Sequence, residues 1–437
     1  MTIDSLAAPP KFIPSTISVN KTSKTIGSNT ISRKIIGVDE SKTKAVKLDI
    51  PILSFFTGLG LLDLGFHEAG YSSIWHNEFM PDFVRGFEHG MKSFGLSVPS
   101  SSIQNTRSII EVAPNEILRE AFGTVGKPNL LGIVGGPPCP DFSVGGKNKG
   151  HEGDRGRLSQ VFVSRILELR PTFFLFENVP GLIRTVKHRA FLRELLIQLS
   201  GHYQLDLRVV NALEYGVPQD RERLIIVGLH TKWLRAHDRK VEKQSADMLI
   251  EHARGSYPVG TSTRHWMPWD RYRTHPGAKS MYNWPDVSPF CSKLSRPRGL
   301  PEELIVEPLI CDQHRLSLLP NGDEGFVPYS DRFKTVWEGD VSKKCFKRLH
   351  RWRYSPAAAY GNNEVHLHPT EARRLTVREA MQIQTVPETF SLPKEMTLSS
   401  KFKTIGNAVP VRLAKAMAAS IHEVITAVIN GDPYADI

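Results

Sequence analysis

Residues 51–78 read PILSFFTGLGLLDLGFHEAGYSSIWHNE. Two short apolar runs, PILSFF and SIWHNE, flank the amphipathic stretch LLDLGFHEAG, and the turn Thr57-Gly58-Leu59-Gly60 joins the first run to that stretch. A strand-length run, a turn, a helix-length segment and a second strand form one unit of an α/β sheet. Outward from it the texture persists: LLGIVGG, LSQVFVSRILELR, TFFLFENV, RAFLRELLIQL, YQLDLRVV and RLIIVGL follow in alternation. The pattern predicts an α/β fold with a doubly wound, mixed but mainly parallel sheet, Rossmann-like, covered by helices on both faces. In such sheets ligands bind outside the carboxyl ends of the strands, so chemistry is expected where these runs stop.

The same texture bounds the domains. Residues 1–47 are rich in Ser, Thr and Lys without a period and read as a mobile basic leader, either a solvated tail or a non-specific DNA-contacting arm. Residues 48–230 carry the sheet pattern. Between 231 and 365 it dissolves into Pro-, Trp- and Arg-rich sequence (RHWMPWDRYRTHPG, KLSRPRGLP, KKCFKRLHRWRY), expected to form a smaller irregular domain. Residues 366–437 return to helical texture and contain VRLAKAMAASIHEVITAVI, an amphipathic segment able to dock on the first domain.

Composition narrows the class. The chain has 437 residues, 40% of them hydrophobic and 23% charged, which fits a folded globular protein and argues against global disorder. Its formal net charge of +11 makes a polyanion the natural partner. Cys139, Cys291, Cys311 and Cys345 are scattered with no Cys-x-x-Cys spacing, so neither a disulfide framework nor a metal site is expected. The chain has no apolar run of about 18 residues and no signal core, so a cytoplasmic protein without membrane contact is expected.

Gly58 and Gly60 let the backbone approach a ligand at a helix N-terminus, and Glu78, twenty residues beyond Gly58 at the end of the next strand, is placed to take the hydroxyls of a ribose. A tight turn with no ligand and a solvated acid would explain the same residues. The three-glycine phosphate fingerprint is missing, so a nucleoside without phosphates, such as S-adenosylmethionine, suits the site better than NAD or FAD.

The stretch LLGIVGGPPCPDFSVGG carries the chemistry. An apolar strand stops at Gly135-Gly136, and Pro137-Pro138 hold the following residue in a stiff extended loop. Cys139 is thereby presented at the sheet's carboxyl edge, where a reactive thiol explains it better than a packed one.

Pro137-Pro138-Cys139 with Phe142-Ser143 resembles the catalytic loop of the DNA (cytosine-5-)-methyltransferases of bacterial restriction-modification systems. Phe56-Thr57-Gly58-Leu59-Gly60, Glu177-Asn178-Val179, Gln219-Asp220-Arg221-Glu222-Arg223, LTVREAMQIQTVP and Gly406-Asn407-Ala408-Val409-Pro410 resemble the family's other blocks, in the family's order. The resemblance covers about residues 50–230 and 366–425.

That resemblance implies sequence-specific methylation of carbon 5 of cytosine, with S-adenosylmethionine as cofactor and double-stranded DNA as partner. It implies Cys139 as a nucleophile that adds to carbon 6, Glu177 sharing a proton with nitrogen 3, Arg221 or Arg223 bonding oxygen 2 and orienting Glu177, and Asn178 anchoring the Cys139 loop. Cofactor contacts are implied for Phe56, Thr57, Gly58, Leu59, Gly60, Glu78, Phe79, Pro138, Asn407 and Ala408. Ser143, Lys147, Lys149, Gln219, Arg271, Arg273, Arg351 and Arg353 are expected to meet DNA, with Asp141 to about Gly153 as a lid over an extruded base. The irregular domain would select the sequence, through these arginines and others including Lys343 and Lys344. A monomer with a functionally linked restriction endonuclease is expected. Leu61 stands where the family usually has a second glycine, Pro140 follows the nucleophile, Ser355-Pro356-Ala357-Ala358 lacks the usual threonine, and no residue of SSIQNTRSI is assigned to the adenine amino group. Transfer-RNA-methylating relatives share this core, and a cofactor- or DNA-binding protein without turnover is the non-enzymatic alternative. The long basic, aromatic domain favours DNA.

Overall fold

Runs such as IPIL and FFLF are continuously apolar because both of their faces are covered. In β1 (Ile50–Phe55), Ile50 and Ile52 enter one hydrophobic cluster, while Leu53 and Phe55 enter another. In the computed structural model, which describes residues 49–138, 156–255, 265–357, 359–360 and 365–432, this strand lies inside a six-stranded sheet. The other strands in chain order are β2 (Tyr71–Asn77), β3 (Gly132–Gly135), β4 (Phe173–Asn178), β5 (Tyr203–Asn211), the short β6 (Gln219–Asp220) and β7 (Glu222–His230). The sheet order is β2-β1-β3-β4-β7-β5. From β2 to β4 the pairs are parallel, and β7 runs antiparallel between β4 and β5. The doubly wound, mainly parallel sheet expected from the sequence is therefore present, with one reversed strand.

Helices α1 (Leu61–Glu68), α2 (Pro81–Phe94), α3 (Pro114–Phe122), α4 (Gly156–Leu169), α5 (Gly181–Arg184), α6 (Val186–Ser200), α7 (Thr231–Ala236) and α8 (Ala246–Ala253) alternate with these strands or follow them. Phe162 of α4, Leu195 of α6 and Leu249 of α8 pack on one face with Phe174 and Phe176. The opposite face takes Phe173 and Leu175 together with Phe66 of α1. Trp266, Met267 and Trp269 also pack there, so the irregular stretch after β7 begins on the sheet.

Beyond it, α9 (Ala278–Met281), α10 (Glu307–Ile310), α11 (Gln313–Ser317) and α12 (Arg332–Thr335) are single turns. The two-residue strands β8 (Lys347–Arg348), β9 (Ser355–Pro356) and β10 (His366–Leu367) complete the segment, β10 pairing with β8 and β9 with β6. The chain then returns through α13 (Val377–Ile383), α14 (Leu398–Asn407) and α15 (Val411–Ile429). Leu413, Met417 and Ile421 of α15 complete the second sheet face. Lys47–Ile437 forms one compact unit. Among the described residues no helix is long and apolar enough to cross a membrane.

Candidate active site

At the carboxyl end of β1 the backbone turns sharply. Phe56, Gly58 and Gly60 all have positive φ, at 53°, 59° and 78°. Gly60 is also fixed by packing, because a Cβ there would stand 2.3 Å from the Met91 side chain. Leu61 occupies the first helical position and is buried with Leu59, Leu64 and Phe87, which explains a leucine in place of a second glycine. Thr57 is buried and donates to the Ser54 carbonyl and hydroxyl.

The Gly58 N–H donates to Glu78 Oε2 and the Met80 N–H to Glu78 Oε1, each at 2.8 Å. Burial raises the Glu78 carboxyl above its usual range, and the N–H groups of Met80, Gly58 and Phe79 oppose it. Each carboxylate oxygen keeps acceptor capacity for a further donor, as the two hydroxyls of a ribose require. Phe79 beside it is 60% exposed, a flat apolar surface suited to an adenine ring. The donor set thus fits S-adenosylmethionine. Asn407 is exposed and Ala408 half-buried, the latter packed against the cluster that holds Leu59 and Leu61.

An isolated bridge pairs Asn77 with Asn105, and the Glu78 N–H donates to the Asn105 carbonyl at 3.2 Å, so residues 105–107 run beside Glu78. The Asn105 amide itself is held by Glu120. This is a long-range pairing of irregular backbone, for which a single sequence carries no periodic signal.

Glu177 and Asn178 end β4, and the antiparallel register pairs Asn178 with Leu224. Arg223, one residue along β7, places its Nε 2.7 Å from Glu177 Oε1. Glu177 is only 8% exposed. Its other oxygen lies where a Cβ on residue 136 would stand, 2.6 Å away, so Gly136 is required for the carboxylate to sit against the end of β3. Asn178 Nδ2 donates to the Pro137 carbonyl at 3.5 Å, tying β4 to the stem that precedes Cys139. Pro137 is buried and Pro138 exposed. Cys139, Asp141, Ser143, Lys147 and Lys149 lie outside the described residues. Of the remaining cysteines, Cys311 has its thiol pushed up to about 12, by burial first and Glu307 second, the wrong direction for a nucleophile.

Arg221 goes elsewhere. Its Nη2 donates to the carbonyls of Gly406 and Ala408, at 2.7 and 3.0 Å, and its Nη1 to Gln219 Oε1 at 3.4 Å. Arg221 is buried and Arg223 half-buried, and desolvation lowers each below its ordinary value, Arg221 by more, with Glu177 working the other way.

The residues expected to meet DNA divide. Gln219 is fully buried. Arg273 is paired with Glu214 and Asp270, and Arg351 with the buried Glu338. Arg353 is half-buried with its guanidinium over the Tyr354 ring, and Arg271 is exposed beside Glu423.

Comparison with known proteins agrees with this geometry. The model of the C-5 cytosine-specific DNA methylases matches residues 50–423. The Type II methyltransferase M.NmeDI of Neisseria meningitidis serogroup C is 40% identical over 377 residues, which cover 85% of this chain and 83% of that protein. The Type II methyltransferase M.NgoFVII of Neisseria gonorrhoeae is 29% identical over 395 residues, 90% of each chain. Among solved structures, the Entamoeba histolytica methyltransferase EhMeth superposes with a TM-score of 0.52 at 12% identity, covering 86% of this chain and 99% of the other, a likeness of fold.

Proposed function

The chain belongs to the C-5 cytosine-specific DNA methylases, and from that premise we propose that it methylates cytosine within a specific DNA sequence through a covalent adduct on Cys139, protecting the DNA from a cognate restriction endonuclease. It is a DNA (cytosine-5-)-methyltransferase that uses S-adenosylmethionine. The Gly58 turn, Glu78 and Phe79 would hold S-adenosylmethionine, which would supply the electrophilic methyl group that carbon 5 takes.

Carbon 5 of cytosine is too poor a nucleophile to take that group unaided, and the protein's residues supply the activation. The target carbon is hidden in a duplex, so the base is extruded at a cost of a few kcal/mol. The Cys139 thiolate then adds to carbon 6, and negative charge spreads to nitrogen 3 and oxygen 2. Glu177 shares a proton with nitrogen 3, and Arg223 orients Glu177 and meets charge at oxygen 2. Loss of the carbon 5 proton to a water molecule and expulsion of the thiolate restore the ring and the enzyme. Arg221 acts through the Gly406–Ala408 backbone that it holds.

The observation that carries this reading is the Glu177–Arg223 pair, 2.7 Å apart at the strand end beside the Pro137–Pro138 stem. The names of the relatives as Type II methyltransferases support the protective role. Incubation with duplex DNA containing 5-fluorocytosine and S-adenosylmethionine is expected to trap a protein–DNA adduct that resists denaturation. Cys139→Ser should trap none. Failure of the unaltered protein to form the adduct, while it methylates ordinary DNA and leaves transfer RNA alone, would refute the covalent step.

A further inference from the structure

Resting on the reading of the chain as a DNA methyltransferase, we propose that a cleft between α12 and the loop 337–346 seats a phosphodiester of the DNA substrate, with the Trp337 indole against the adjoining sugar or base. The cleft has a volume of about 340 Å³, and Arg332, Thr335, Trp337, Asp340, Lys343 and Phe346 stand on its wall.

Charge carries the argument. Most arginines of this segment are already engaged: Arg351 is spent on buried Glu338, Arg273 on Glu214 and Asp270. Arg332, Lys334, Lys343 and Lys344 are exposed, and among the described residues no carboxylate pairs with any of them. Arg332 rests 5.5 Å from the Phe346 ring centroid, which aligns its guanidinium without consuming its charge. The carboxylate on the wall, Asp340, accepts from the Ser342 N–H at 3.0 Å and the Ser342 hydroxyl at 2.6 Å. Lys343 helps to hold the Asp340 carboxyl below its usual range, after the Ser342 hydroxyl and N–H, so Arg332 and Lys343 against Asp340 leave the wall with an excess of one positive charge.

Shape supplies the second half. Trp337 is 52% exposed, a large aromatic kept in water at the mouth of a cationic cleft. A nucleic acid strand offers both a phosphate for the cations and a flat face for the indole. The floor is rigid. Buried Arg348 donates to the carbonyls of Val336, Phe333, His368 and Glu371, and its own N–H donates to the Asp340 carbonyl at 2.9 Å. The Phe333 and Phe346 rings pack with centroids 5.7 Å apart.

Two variants test the cleft, each measured for melting temperature, cofactor affinity, binding of a labelled mixed-sequence duplex across a salt series, and methyl transfer to genomic DNA. The double variant R332Q/K343Q is expected to weaken duplex binding about tenfold at low salt and to reduce the slope of log affinity against log salt by about 0.9, the contribution of one neutralised phosphate. W337A is expected to weaken binding about tenfold with the slope unchanged. In both, melting temperature and cofactor affinity stay at the original values. If the unaltered protein methylates DNA and folded variants bind duplex with its affinity and slope, the cleft assignment is overturned while the function stands. If the unaltered protein methylates no DNA, both fall together.

Discussion

Arg221 and Arg223 stand two residues apart in one block and serve different partners. Arg223 meets the Glu177 carboxylate, whereas Arg221 meets backbone oxygens of residues 406 and 408. Glu177→Gln keeps the shape and an acceptor for Arg223 but removes the carboxyl proposed to exchange a proton with the base. Methyl transfer is therefore expected to fall by roughly 10²–10⁴ while cofactor binding persists; a rate within twofold of the original would remove Glu177 from the mechanism. Arg221→Lys replaces a planar fork with one ammonium and cannot reproduce both carbonyl bonds. Its effect should be a lower melting temperature and a raised KM for S-adenosylmethionine, with kcat changed less, in steady-state kinetics. The block was legible as a site in the sequence. The division between its arginines was not, because the acceptors of Arg221 are main-chain oxygens 185 and 187 residues away, which any side chain would present. The partners of Arg273 and Arg351 were hidden for a related reason: basic and aromatic composition gives no hint that Glu214 and Glu338 pair with them in the fold.

At the scale of elements, apolar runs identified the strands but not the direction of β7, since RLIIVGL is equally apolar read either way. That direction matters, because the antiparallel pairing of β4 with β7 is what carries Arg223 to Glu177. The crossing of α1 and α15 offers a sharper test. A Cβ at Gly65 would meet Ala414 Cβ at 2.4 Å, the Lys415 nitrogen at 2.6 Å and the Val411 carbonyl oxygen at 2.8 Å. Two of these are backbone atoms that cannot swing aside. Helix propensity alone predicts that Gly65→Ala stabilises by about 1 kcal/mol, whereas overpacking predicts a loss of about 1–3 kcal/mol. The backbone contacts decide for a net loss, which urea unfolding reads directly. An alanine variant as stable as the original would mean that the two helices separate at little cost. Helix α13 packs into the cluster that also takes Leu64 of α1 and Val411 of α15, and Thr376 caps it in a reciprocal box with Glu379. Thr376→Ala is expected to cost about 1 kcal/mol in the same assay.

For the whole molecule, the question is why residues far apart in the chain come together in the site proposed for the cofactor. The Gly58 turn, Glu78 and Phe79 come from the first two strands, and Asn407 and Ala408 from the end of α14. A single apolar cluster containing Leu59, Leu61, Phe402 and Ile405, with Ala408 against it, holds the two regions together. A ligand bridging them binds the folded chain and not the unfolded one, so it stabilises by RT ln(1 + [L]/Kd), about 2.7 kcal/mol at a hundredfold excess over Kd. S-adenosylmethionine or its demethylated product should thus raise the melting temperature by several degrees, with the shift growing logarithmically with concentration. Phe79→Ala separates binding from stability. Phe79 is largely in solvent and contributes little to the core, so its removal should leave the ligand-free melting temperature within about a degree. The same substitution removes the surface proposed for the adenine ring and should shrink the ligand-induced shift at a fixed concentration. A variant that keeps the full shift would detach Phe79 from the cofactor, and a protein with no shift at saturating ligand would mean that the two chain ends meet for packing alone.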